Sequence, residues 1–172
     1  MEVTLHRILW SMPVLMLLVY LVKRRRAGFM AALKDRKALI MLAISALLIT
    51  INWGVYVWAV AHERIIEASM GYFLTPLLNV VGGVLVFHER LKKLQWFAVA
   101  CAAAGVLYYI LTVSIFPWVG LTVGLSFSAY GIMRKQVAVD AVPGLLVETL
   151  LLAPLALTAI FWLTAQGETL FL

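Results

Sequence analysis

Six long apolar stretches fill almost the whole chain, running roughly over 5–22, 38–61, 68–87, 94–116, 117–133 and 141–165. A helix needs ~20 predominantly apolar residues to cross ~30 Å of hydrocarbon. No water reaches the backbone there, so each peptide group must find its partner inside its own helix. Hydrophobic residues make up 65% of the chain and charged residues 13%, too few to give a soluble domain a polar surface. The expected fold is therefore all-α, a polytopic transmembrane helix bundle with six spans in this chain.

The net charge of +6 invites a nucleic-acid partner, but its placement argues for a membrane instead. Lys23, Arg24, Arg25, Arg26, Lys34, Arg36 and Lys37 fall in the first connection. Arg90, Lys92 and Lys93 fall in the third, and Arg134 and Lys135 in the fifth. With alternating spans, twelve of the fourteen basic residues share one side, leaving Arg7 and Arg64 on the other. That asymmetry places the loops at 23–37, 88–93 and 134–142 in the cytoplasm, and both chain ends outside. The expected location is a bacterial inner (plasma) membrane, with lipid as one partner and no nucleic acid. Segment 23–37 is expected to be a topology-setting loop, with an interfacial helix carrying Phe29, Met30 and Leu33 as its alternative.

Catalysis finds no support. His62-Glu63 and His88-Glu89 both contain His-Glu, but Ile66 and Lys92 stand where a zinc-protease helix needs its second His. No Ser/His/Asp set and no phosphate-binding glycine loop is legible, so the chain reads as no enzyme, with no cofactor and no metal. The single cysteine, Cys101, excludes an internal disulfide and reads as a small residue at a helix contact. The first apolar run contains Pro13 and ends in Lys-Arg-Arg-Arg, which is unlike a signal peptide.

Pro117 and Pro143 sit where helices begin, whereas Pro13, Pro76 and Pro154 lie inside spans and should bend them. Setting Pro13 over Pro154 aligns Leu5, Leu9 and Pro13 with Leu146, Leu150 and Pro154. The first span would then correspond to the sixth. An odd period of five helices inverts topology, the plan of secondary transporters with a site near the midplane. Such a repeat also implies one helix before residue 1 and three after residue 172.

Function must be read from polar groups inside the spans. Tyr72, Pro76, Asn79 and Gly83 share one face of the third span, and Ser69 extends it. Such a face looks at other helices or at a wet cavity; helix–helix bonding by Asn79 is the plainer alternative. Asn52 and Tyr56 form a similar face on the second span, with Ser45 and Ala59, while Trp58 fits an interfacial aromatic belt. His6 and Arg7 open the first span, with Trp10 a turn deeper. Arg7 either snorkels outward or meets a bound organic anion or Glu67, which opens the third span. Glu148 lies one turn past Pro143 and is either a charge favourable to the helix dipole or a proton-sensitive group. Gly120 and Gly124, continued by Ser128 and Gly131, form a close-packing stripe on the fifth span.

The blocks Leu5-HRILWS-Met12, INWGVYVWAV (51–60), EASMGYFLTPLLNVVGGVLVFHERLKKLQW (67–96), SFSAYGIMRKQ (126–136) and LLVETLLLAP (145–154) resemble the RarD-like group of EamA-type drug/metabolite transporters. The resemblance covers nearly the entire chain. It implies ten helices in two inverted five-helix halves, of which this chain matches the second to seventh. Residues 1–116 would be four helices of the first repeat, and 117–172 the first two of the second. It further implies a secondary transporter, commonly an exporter, moving small organic metabolites or drugs by alternating access. The expected solute path is His6, Arg7, Trp10, Asn52, Tyr56, Tyr72, Pro76, Asn79 and Gly83, with Glu67 and Glu148 as gate or coupling groups. A homodimer could supply walls that six spans lack. The competing reading is a non-transporting membrane scaffold or assembly subunit, whose polar faces are packing surfaces.

Overall fold

The computed structural model describes residues 2–113 and 116–166; positions 114–115, within the expected fourth span, and the chain end at 167–172 lie outside the described residues. Seven α-helices follow one another: α1 (Glu2–Tyr20), α2 (Lys23–Lys34), α3 (Arg36–Ala61), α4 (Ile65–Phe87), α5 (Lys93–Val113), α6 (Trp118–Gln136) and α7 (Ala141–Ala165). Among the described residues, α3, α4 and α7 are each long and apolar enough to cross a bilayer. α1 from Thr4 and α2 meet the same requirement only as a pair bent by 115°, which gives up to four crossings by length and composition. Each of α1, α4 and α7 runs as one helix across its internal proline.

Large apolar side chains face outward along these helices, among them Trp10, Phe73, Leu94, Phe97, Tyr108 and Phe161. A soluble fold would bury such residues; a surface of this kind suits hydrocarbon. The segment after α1 departs from the loop favoured for 23–37 and is helical, as the alternative reading has it. Lys, Arg, Ala, Leu and Met are strong helix formers, and the stretch Lys23–Lys34 is a helix of twelve residues. α2 packs on both α7 and α1, burying Phe29 and Ala32. Cys101 also departs from expectation, being exposed on α5 rather than set in a helix contact.

The chain forms two compact units, with boundaries inside α3 and α6. The first holds the described residues up to Leu47 and from Met133 onward. Its core joins Leu15 and Val19 of α1, Phe29 and Ala32 of α2, Ala38 and Leu42 of α3, Val137, and Leu146 and Val147 of α7. The second unit, Leu48–Ile132, is built on close approach of α4 to α6. A Cβ added at Gly120 would lie 2.8 Å from the Glu67 carbonyl oxygen, and one at Gly71 would lie 2.7 Å from Val123 Cγ1. At Gly124 the nearest atom would be Leu74 Cβ, at 3.1 Å. The expected Gly120/Gly124 stripe is thus a backbone contact, whereas Gly131 has nothing within 4 Å of an added Cβ. α3 closes this core with Ala59, which packs with Ala68, Val119 and Val123.

Candidate functional site

In the first unit, the polar centre is Glu148. Two turns separate it from the start of α7 at Ala141, so it lies beyond the first-turn amides and is not an N-terminal dipole charge. It is 1% exposed, in a helix that is otherwise almost wholly apolar. Ser45 of α3 lies with its Oγ 2.5 Å from Glu148 Oε1 and 2.9 Å from the Leu42 carbonyl oxygen. Arg134, near the end of α6, brings Nε to 3.6 Å from the same Oε1, a charge contact rather than a hydrogen bond. Its Nη2 donates to the Ala141 carbonyl at 3.2 Å, while Nη1 is buried without a hydrogen-bond partner. Gly144 makes the room: a Cβ there would overlap the Arg134 guanidinium. A carboxylate in hydrocarbon persists only when paired, and both Ser45 and Arg134 meet Glu148 here.

In the second unit, α6 serves two amides through alternate serines. Asn52 of α3 is 7% exposed and donates from Nδ2 to the Val123 carbonyl at 2.7 Å and to Ser126 Oγ at 3.1 Å. Ser128 donates to Asn79 Oδ1 of α4 at 2.8 Å. The side chain of Tyr56 meets Tyr72 edge-on, with ring centroids 6.0 Å apart, and Trp53 meets Tyr56 at 5.9 Å. Tyr72 itself is 54% exposed, and Pro76 and Asn79 are exposed on the same side of α4. Gly83 is buried near the helix end, where an added Cβ would lie 2.8 Å from Glu89 Oε2. Ser69, on the same stripe, lines an apolar cavity of about 480 Å³ between α4 and α5, opposite Gly105 and Tyr109.

Glu67 finds its partner locally, accepting a 2.7 Å bond from Arg64 Nε. Arg64 in turn lies over the rings of Trp58 and Trp118. In the first unit, His6 is half-buried, while Arg7 and Trp10 are exposed. The second unit therefore brings Tyr56 and Tyr72 into ring contact and ties Asn52 and Asn79 separately to α6, and the first pairs Glu148 with Ser45. Arg134 was legible only as a topology charge, and Gly144 carried no reading of its own. The sequence signal that could have found them is spacing: Gly144 and Glu148 stand four apart on one face of α7. Among the described residues, no three His, Cys, Asp or Glu side chains converge as a metal-binding set.

Comparison with known proteins matches residues 1–111 to the EamA-like transporter family. An uncharacterized transporter of Pseudomonas aeruginosa is 43% identical over 169 residues, covering 98% of this chain and 56% of that protein. An uncharacterized transporter of Vibrio cholerae is 40% identical over 163 residues, covering 95% and 54%. The RarD protein of Escherichia coli is 38% identical over 160 residues, covering 93% and 54%. The chain thus spans about half the length of the curated relatives it matches. No solved structure matches.

Proposed function

This chain belongs to the EamA-like transporter family as a RarD-like multi-pass membrane protein, and on that premise we propose that it works as part of a secondary transporter. In this reading it carries small organic metabolites or drugs out of a bacterial cell across the inner membrane by alternating access. Glu148 is the observation that carries the reading. A carboxylate buried to 1% exposure in an apolar helix is costly, and in membrane proteins such groups mark solute or ion pathways. Its partners come from α3 and α6, so a change of its charge bears on three helices at once.

In this reading His6, Arg7, Trp10, Asn52, Tyr56, Tyr72, Pro76, Asn79 and Gly83 line the solute route, and Glu67 and Glu148 gate or couple it. Six crossings of an inverted five-plus-five plan divide between residues 116 and 117; the family match over residues 1–111 stops close to that point. The basic segments 23–37, 88–93 and 134–142 face the cytoplasm, and the protein pairs with a second copy of itself. The cavity between α4 and α5, about 480 Å³, has the size of a small-molecule site.

The test is flux of a metabolite and antibiotic panel into inside-out vesicles holding the chain within a full-length sequence. Saturable uptake above empty vesicles is expected, and Glu148→Leu should abolish it. Equal uptake by protein-free vesicles, with membrane insertion intact, would favour the scaffold reading instead.

A further inference from the structure

The connection between α3 and α4 places a cation in an aromatic corner. Arg64 immediately precedes α4, and its Cζ lies 5.4 Å from the Trp118 ring centroid and 5.8 Å from that of Trp58. The two indoles are 5.2 Å apart and tilted by 49°, so they form an open wedge rather than a stack. Glu67 closes the wedge from the first turn of α4, accepting from Arg64 Nε at 2.7 Å. The side chains of Arg64 and Glu67 are 30% and 18% exposed, so the corner is enclosed yet open to one side.

Two features mark the corner as a site and not only a helix cap. Arg64 engages the carboxylate through Nε alone, and Glu67 Oε2 is buried without a hydrogen-bond partner. A guanidinium that matched this carboxylate would grip both oxygens. The walls are also fixed while the occupant is tethered. Gly120 locks the start of α6 against α4, since an added Cβ would meet the Glu67 carbonyl oxygen at 2.8 Å and Met70 Cβ at 3.0 Å. Trp118 and Glu67 therefore keep their separation. Arg64 stands outside both helices, next to Glu63 with its left-handed φ of 60°, on a connection of three residues.

We propose that Trp58, Trp118 and Glu67 form a binding site for a primary or secondary organic ammonium ion, and that Arg64 is its tethered occupant. Indole faces attract a cation through their quadrupole, and a desolvated site strengthens that attraction. An ammonium with N–H donors supplies what Oε2 lacks, and its alkyl arm lies along the indoles. A quaternary ion offers the same charge with no donor, so it binds more weakly. The proposal goes beyond the transport reading and is tested by binding alone.

The purified chain in detergent is titrated with n-butylammonium chloride at constant ionic strength. Intrinsic fluorescence is read in a background with Trp10, Trp53, Trp96 and Trp162 changed to Phe, which leaves only Trp58 and Trp118 of the six tryptophans. Saturable quenching is expected, tightening at least tenfold in Arg64→Ala. Adding Glu67→Gln to that variant should reverse the gain, and tetraethylammonium should bind at least fivefold more weakly than n-butylammonium. Arg64→Gln, closer in size, is read in the same way where Arg64→Ala does not fold. Absence of saturable quenching in both proteins, unchanged affinity without Arg64, or tight binding that persists in Glu67→Gln overturns the proposal.

Discussion

Gly144 of α7 lies directly beneath the guanidinium of Arg134, and a Cβ at that position would occupy the place of Nη1. The absence of one methyl group thus decides whether a cation can reach Glu148 one helical turn further on. Gly144→Ala should push Arg134 away and weaken the 3.6 Å contact. A loss of ~1–3 kcal/mol is expected, the range for overpacking a filled site. Thermal unfolding in detergent measures it. In an Arg134→Met background the same change should cost less, because the group it displaces is gone; equal costs in both backgrounds would remove the steric link.

Glu148→Gln and Glu148→Leu should separate charge from shape. Gln keeps a polar partner for Ser45 at the position now 2.5 Å away. Leu leaves Arg134 buried beside no counter-charge, and breaking a buried pair from one side costs about 3–5 kcal/mol. The Leu variant should unfold at markedly lower temperature than Gln, while both lose solute flux. Full flux in Glu148→Gln would exclude a role for the charge.

Asn52 and Asn79 predict opposite phenotypes. Asn52 is buried and donates twice into α6, so Asn52→Leu should cost about 1 kcal/mol, near the upper part of the range measured for such bonds in membrane helices. Asn79 is exposed and bonded once, to Ser128, so Asn79→Leu should lower stability little yet abolish transport. Unchanged flux in Asn79→Leu removes that residue from the route.

The glycines of α6 should divide sharply along one helix. Gly120→Val would drive a side chain into the α4 backbone and should separate the two helices, seen as lost thermal stability or aggregation on size exclusion. Gly131→Ala meets open space and should be neutral or slightly stabilising, since alanine is the better helix former.

Sidedness has its own test. A cysteine placed between Arg26 and Lys34 in a Cys101→Ser background should resist an impermeant maleimide added to intact cells, and react after permeabilisation. Reaction in intact cells would overturn the orientation drawn from the basic residues.

Much of the fold was legible because lipid imposes a simple rule. A stretch such as 38–61 must be helical whatever it packs against, and α3 spans Arg36–Ala61. The glycine stripe at Gly120 and Gly124 was equally readable, since small residues four apart admit a neighbouring backbone. In segment 23–37 charge and helix propensity compete, and the favoured loop gives way to the helical alternative at Lys23–Lys34, which buries Phe29 and Ala32.

Hydropathy and charge order, present in the chain itself, determined that this protein is a bundle of helices with outward-facing apolar surfaces. They also singled out Asn52 and Glu148, which are buried, together with Tyr72 and Asn79, which are exposed. Tertiary structure alone decided which of those residues meet. Arg134 and Arg64 each looked like a charge at a helix end, destined for water. One turns in toward Glu148 because Gly144 leaves a slot, and the other settles between two indoles beside Glu67. A long side chain near a helix end can reach water or a neighbour at similar local cost, and the shape of the facing helix breaks the tie.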